Sequence, residues 1–226
     1  MKYLFLIAAL LPLTACSNPA QKVVVRENPR PQEPYMIELD ASQAPGEIQA
    51  EQVNASVGYQ TQSYTPECTP KTPPLMEWRM SDKRLTIPMS KVGPNRFQGV
   101  VYLDAIQSED YFKKGLCAWH LNAASAGFVG KGGLGFGLGL GYPEFKPGGT
   151  STAYYLVKEF SEPVGDRPYS FAFSVPTNDF TKDPENSYVN DKTKYFPIYL
   201  KVEPLVGSSG LSVKEEFEKR TGKKIQ

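Results

Sequence analysis

The chain has 226 residues, of which 40% are hydrophobic and 22% charged, enough for one domain with a real core or two very small ones. Twenty-five basic against 24 acidic side chains give a net charge of +1, which excludes a basic field that would collect nucleic acid. One histidine and three cysteines exclude a histidine-rich metal site and a multi-disulfide miniprotein.

Residues 1–16 read MKYLFLIAALLPLTAC. Lys2 supplies a positive start, and the apolar run from Tyr3 to Leu13 has the length of a signal-peptide core. A bilayer-spanning helix would need about 20 residues. The run ends in Leu13-Thr14-Ala15-Cys16, which resembles the lipobox of bacterial lipoproteins: an aliphatic residue, two small or polar residues, then cysteine. The resemblance implies cleavage before Cys16, a thioether-linked diacylglyceryl on its sulfur and acylation of the new amine. Several chains give stable anchoring where one would be marginal. Ser17 follows. A non-acidic residue there implies, for a Gram-negative lipoprotein, export to the outer membrane with the protein facing the periplasm. Residues 1–15 are thus expected to be a signal peptide. Residues 16–34, with four prolines and mixed charges, are expected to form a lipidated tether in which Val23–Val25 can pair as an edge strand.

With Cys16 lipidated, Cys68 and Cys117 remain. An even pair in an exported chain points to a disulfide; two free thiols or a chemical role are the alternatives. A catalytic thiol needs a base, and His120 is the only histidine. On a strand, Cys117 and His120 would lie on opposite faces.

From residue 35 the pattern is β. Alternating or apolar runs at 36–41, 48–61, 75–80, 115–124 and 153–160 read as strands, as do Tyr169–Val175 and Ile198–Glu203. Arg96–Asp104 follows a Gly93-Pro94-Asn95 turn, which predicts a hairpin with Leu85–Met89. Eight to ten short strands between turns predict a mainly β, antiparallel sandwich of immunoglobulin-like architecture over 35–205, with a barrel as the second choice. Residues 206–226 are expected to carry one short helix. Ser212 and Glu215 form a capping box, Glu215/Lys219 and Glu216/Arg220 are i,i+4 pairs, Gly222 closes it, and Val213 and Phe217 make its apolar seam.

Two stretches stand out as candidate sites. From Gly127 to Gly149 there are ten glycines and only three charges, Lys131, Glu144 and Lys146. Gly130 to Gly135 formally matches GxGxxG, but alternating glycine and apolar residues follow instead of a helix, which argues against a dinucleotide site. At period two the glycines share one face of a strand, and Leu134, Phe136, Leu138 and Leu140 the other. Such a strand is either core scaffold or a partner-binding segment. Gly135, Phe136, Gly137, Leu138 and Tyr142 are its candidate contact residues. Trp119 is either core or a ligand platform, and His120 is expected to be half-exposed. The run Tyr111-Phe112-x-x-Gly115-x-Cys117-x-Trp119 resembles a pattern in small Gram-negative lipoproteins found beside type VI secretion effectors as immunity partners. That resemblance implies a periplasmic protein that binds and blocks a toxic enzyme. It transfers no catalytic residue.

No HExxH, GxSxG or CxxC motif occurs, and the polar stretch 176–194 reads as a solvated loop without the ligand order of a calcium site. The expectation is therefore a non-enzymatic protein without cofactor or metal, bound to the membrane through its lipid and to a protein partner, an effector or an envelope component. A structural accessory lipoprotein and a glycan- or peptidoglycan-binding module are the alternatives.

Overall fold

A computed structural model describes residues 24–61, 65–68, 82–130, 133–161, 172 and 194–225. Cys16 and the whole 1–15 segment lie outside these residues, as do the expected strand at 75–80, most of Tyr169–Val175 and the 176–194 loop except Lys194.

The strands are β1 (Pro34–Asp40), β2 (Val53–Thr61), β3 (Asp82–Thr86), β4 (Ser90–Gly93), β5 (Arg96–Tyr102), β6 (Trp119–Val129), β7 (Gly135–Gly141), β8 (Thr150–Leu156) and β9 (Tyr195–Pro204). Helix α1 (Val157–Ser161) follows β8, and α2 (Val213–Thr221) follows β9. The strands form two antiparallel sheets, five-stranded β4-β5-β1-β9-β8 and four-stranded β3-β2-β6-β7. This is the β-sandwich that the alternating runs predict.

Alternation explains the core. Tyr35, Ile37 and Leu39 of β1 are fully buried, and so are Phe97 of β5 and Ile198, Leu200 and Val202 of β9. From the other sheet come Val57, Tyr59, Leu121, Phe128 and Phe136. Each fully buried large apolar side chain contributes roughly 1.5–3 kcal/mol. At one end Phe136 gathers an aromatic cluster, with ring centres 5.4 Å from Phe128, 5.3 Å from Tyr155 and 5.9 Å from Phe160 and Phe196.

Several boundaries differ from the sequence reading. The partner of β5 is Ser90–Gly93, not Leu85–Met89, because Leu85 belongs to β3 and pairs with Val57 in the other sheet. The chain therefore changes sheet between Thr86 and Ser90, and Ile87 and Met89 meet the backbone at Gly99. The 48–61 run begins with a 3-10 turn, Ala50–Gln52, and the strand starts at Val53. The 153–160 run is a strand only to Leu156; α1 takes the rest. Val24 is exposed, and the pairing in this part of the chain is a single bridge from Glu27 to Ile106. Residues 28–33 lie on the domain, because Asp104 accepts hydrogen bonds from the Gln32 and Glu33 amides and the Asn28 side chain.

Helix α2 lies where its sequence predicts, but of the two expected i,i+4 pairs only Glu216/Arg220 forms among the described residues, because the Glu215 carboxylate takes the Ser212 amide and hydroxyl instead. Ser212 and Glu215 form the capping box, and Gly222 ends the helix at φ +67°, a conformation glycine adopts without strain. Glu216 departs from the picture of a surface pair: it is buried against the domain while its carboxylate meets Arg220 at 2.6 Å.

Candidate functional site

Cys68 and Cys117 sit at disulfide distance, with Cα atoms 4.7 Å apart and both side chains buried. Cys68 ends the 3-10 turn Pro66–Cys68, and the Cys117 amide donates to the Glu109 carbonyl at 2.9 Å. The pair thus joins two irregular segments beside the start of β6.

The expected contact residues of the glycine-rich strand separate into two groups. Phe136 and Trp119 are core side chains, 1% and 2% exposed, so neither offers a surface to a partner. Period-two alternation turns Phe136 inward, and Trp119 faces inward opposite Thr61 of β2. Leu138 is half-buried between Phe136 and Leu140 on the inward face. Gly135 and Gly137 remain on the outward face, and Tyr142 is half-buried with its ring edge-on to His120 at 5.9 Å. The outer edge of β7 is also occupied at two points. The Tyr155 hydroxyl accepts from the Gly137 amide at 3.2 Å and donates to the Gly137 carbonyl, and the Ala172 amide donates to Gly135 at 2.9 Å. Such capping protects an edge against strand addition.

His120 is buried rather than half-exposed. It does lie on the opposite face from Trp119 and Leu121, beside Gln60, but Phe217 of α2 and Tyr142 close over it. Burial, reinforced by the Arg220 charge, lowers its pKa to about 4, so the ring is neutral at pH 7. A register shift between Gly58 and Tyr59 lets β6 turn Leu121 inward on one side of Asn122 and Ala124 on the other.

The surface with the richest chemistry is the outer face of the five-stranded sheet. Register sets Gln98, Glu38, Lys201 and Thr150 in one row, and Arg96, Asp40, Tyr199 and Thr152 in the next. Val100 and Met36 lie opposite each other in a third. Arg96 Nη2 donates to both Glu38 oxygens at 2.8 and 3.0 Å, Gln98 Nε2 donates at 2.6 Å, and Lys201 donates to Asp40 at 3.1 Å. Burial pushes the Glu38 carboxyl up, but the Gln98 and Arg96 hydrogen bonds and the Arg96 and Lys201 charges outweigh it and hold it below the usual range. This contribution is present above the ordinary carboxylate pKa and is lost as pH falls through the lowered value.

Exposure within the network is unequal. The carboxylates are 6% and 14% exposed at Glu38 and Asp40, and the cations 45% and 41% at Arg96 and Lys201. An approaching molecule therefore meets guanidinium and ammonium donors fixed by acids beneath them. Beside them lie Tyr199, with Lys201 over its ring at 5.7 Å, and the exposed Val100. Sequence reasoning missed this face. Its signal was the polar alternation in Met36-Ile-Glu38-Leu-Asp40, Arg96-Phe-Gln98 and Tyr199-Leu-Lys201, but which strands are neighbours is a tertiary fact.

No protein-family model, no curated protein and no solved structure matches the chain. Among the described residues no group of three or more His, Cys, Asp or Glu side chains is arranged to hold a metal, and no helix is long and apolar enough to cross a membrane.

Proposed function

We propose that the protein is an exported, lipid-anchored binding module, held at the outer membrane facing the periplasm, that recognises a protein partner with the outer face of its five-stranded sheet. In this reading it is an immunity or inhibitor partner of a secreted toxic effector. The observation that carries recognition is the face itself: exposed Arg96 and Lys201 over sequestered Glu38 and Asp40, next to Tyr199, Met36 and Val100. Arginine, tyrosine and methionine are the residues enriched at protein–protein contacts. The lipobox ending at Cys16 supports the compartment, and so does a cysteine pair at bonding distance, a feature of oxidising environments.

Two experiments test the two halves. The variant Cys16→Ala is expected to remain unlipidated and to move from the membrane to the soluble fraction; normal processing with unchanged sedimentation overturns the anchor. For recognition, Val100→Glu and Tyr199→Ala change partly exposed side chains that do not themselves bond Glu38. Each is expected to weaken capture of the periplasmic partner about tenfold, a hot-spot effect of roughly 1.4 kcal/mol, at a nearly unchanged melting temperature. Capture that both variants leave intact rules this face out. Co-sedimentation with purified peptidoglycan that both variants abolish replaces the protein partner by a glycan.

A further inference from the structure

Helix α2 is fastened by charged groups as well as apolar ones. Arg220 reaches the domain at two points, Nη1 to the Ser108 hydroxyl at 2.7 Å and Nη2 to the Trp119 carbonyl at 2.7 Å, while its Nε is held by Glu216 of the same helix at 2.6 Å. Just past the helix, Lys223 donates to the Leu116 carbonyl at 3.0 Å and to Glu67 at 3.3 Å, the residues preceding Cys117 and Cys68. The apolar share comes from Val213 and Phe217. The N-terminal end is tied separately, by Tyr35 donating to the Leu211 carbonyl and by Glu33 accepting from the Ser209 amide at 2.8 Å.

Beneath the helix lies the single histidine of the chain. His120 is packed edge-on to Phe217, with ring centres 5.4 Å apart. Its Nε2 is 3.2 Å from Gln60 Nε2, and its buried Nδ1 has no hydrogen-bond partner among the described residues. The groups bearing on this place are Arg220 and Glu216 from α2, Tyr142 after β7 and Gln60 from β2. Asp104 and Glu33 act on Glu216 from the body of the domain. With the Gln60 amide nitrogen donating to Nε2, the neutral ring carries its proton on Nδ1; a second proton, at Nε2, would set an N–H against that donor and create a buried imidazolium that the Arg220 charge opposes.

We propose that α2 is an acid-released latch: protonation of His120 undocks the helix about its Leu211 end and uncovers the cysteine-pair end of the sandwich. The sign follows from linkage. A histidine freed from the pocket titrates near 6.5, whereas the docked ring resists the proton until about pH 4. Docking is therefore fully supported above pH 6.5 and weakens as pH falls from 6.5 to 4. Glu216 works in the opposite sense. Burial, against the pull of Arg220, raises its pKa, so the docked helix takes up that proton more readily than a free one and regains part of the loss. His120 is the trigger and Glu216 the damper.

Hydrogen exchange on the full mature chain tests this, with rates corrected for intrinsic pH dependence. Between pH 7 and 5, protection of residues 213–221 is expected to fall on the order of tenfold to thirtyfold, while β1 stays protected. The damper variant Glu216→Gln is expected to steepen the fall and His120→Gln to remove it. Should His120→Gln fold poorly, the ring resonance of the lone histidine decides instead, because a ring beneath a docked helix must titrate well below 6.5. Equal protection of 213–221 at both pH values overturns the latch. A fall that persists in His120→Gln, or a histidine that titrates near 6.5 under a protected helix, overturns it as well.

Discussion

Replacing Gly127 by alanine is expected to cost the fold about 2–4 kcal/mol, as much as a badly overpacked core site. Gly127 of β6 lies opposite Gly137 of β7. A Cβ on Gly127 would stand 2.3 Å from the Phe136 carbonyl oxygen, 2.9 Å from the Gly137 Cα and 3.2 Å from the Phe136 carbonyl carbon. These are backbone atoms, so no rotamer change relieves the clash. Moving them also moves Phe136, whose ring stacks on Phe128 and meets Tyr155 edge-on. At about 2–4 °C per kcal/mol for a chain of this size, the melting temperature should drop by roughly 5–15 °C. Gly58→Ala is the control: it lies in the same sheet, but its Cβ would meet only the Ala123 carbonyl oxygen at 3.8 Å, an ordinary contact. That variant should stay within about 0.5 kcal/mol of the parent. Equal melting of both variants would mean that β6 and β7 do not approach as closely as this register requires.

The same residues mark how far the sequence could be read. The period-two glycines of β7 are legible as one bare and one apolar face, because alternation is local. Their reason for being bare is not local. Gly137 is held by Tyr155 from β8, and Gly127 is excluded from carrying a side chain by the strand across from it. Helix α2 was legible almost to the residue, since capping and i,i+4 pairing act within one turn. Its destination was not, so the burial of Glu216 was not foreseen and His120 read as a half-exposed strand residue until the helix is laid over β6. The outer face of the five-stranded sheet failed for a related reason. Glu38, Arg96 and Lys201 are 58 and 105 positions apart along the chain and meet only through pairing of β1 with both β5 and β9. Strand identity can be read from alternation, whereas strand neighbours depend on which apolar faces bury each other.

Removing the cysteine pair is the second large effect expected. Cys68 and Cys117 are 49 positions apart, and a crosslink closing a loop of that length restrains the unfolded chain by about 4 kcal/mol in the chain-entropy model. Alanine at both positions avoids burying new hydroxyls and is expected to lose about 2–5 kcal/mol. The parent protein treated with a thiol reductant should melt where the double variant melts. Peptide mapping without reduction should join the two peptides; two freely alkylatable thiols in natively purified protein would refute the bond. The loss should also be uneven. Lys223 spans Glu67 and Leu116, so it holds the backbone on both sides of the crosslink, and Arg220 holds Trp119 and Ser108 next to it. Freed segments at 65–68 and 109–117 would loosen the acceptors on which α2 depends, while β1 keeps its two paired neighbours and its fully buried Tyr35, Ile37 and Leu39. Reduction at neutral pH is therefore expected to lower exchange protection of 213–221 well before that of 34–40, whatever the protonation state of His120. Uniform loss across both segments would show that the crosslink stabilises the domain as a whole and leaves the C-terminal helix with no special dependence on it.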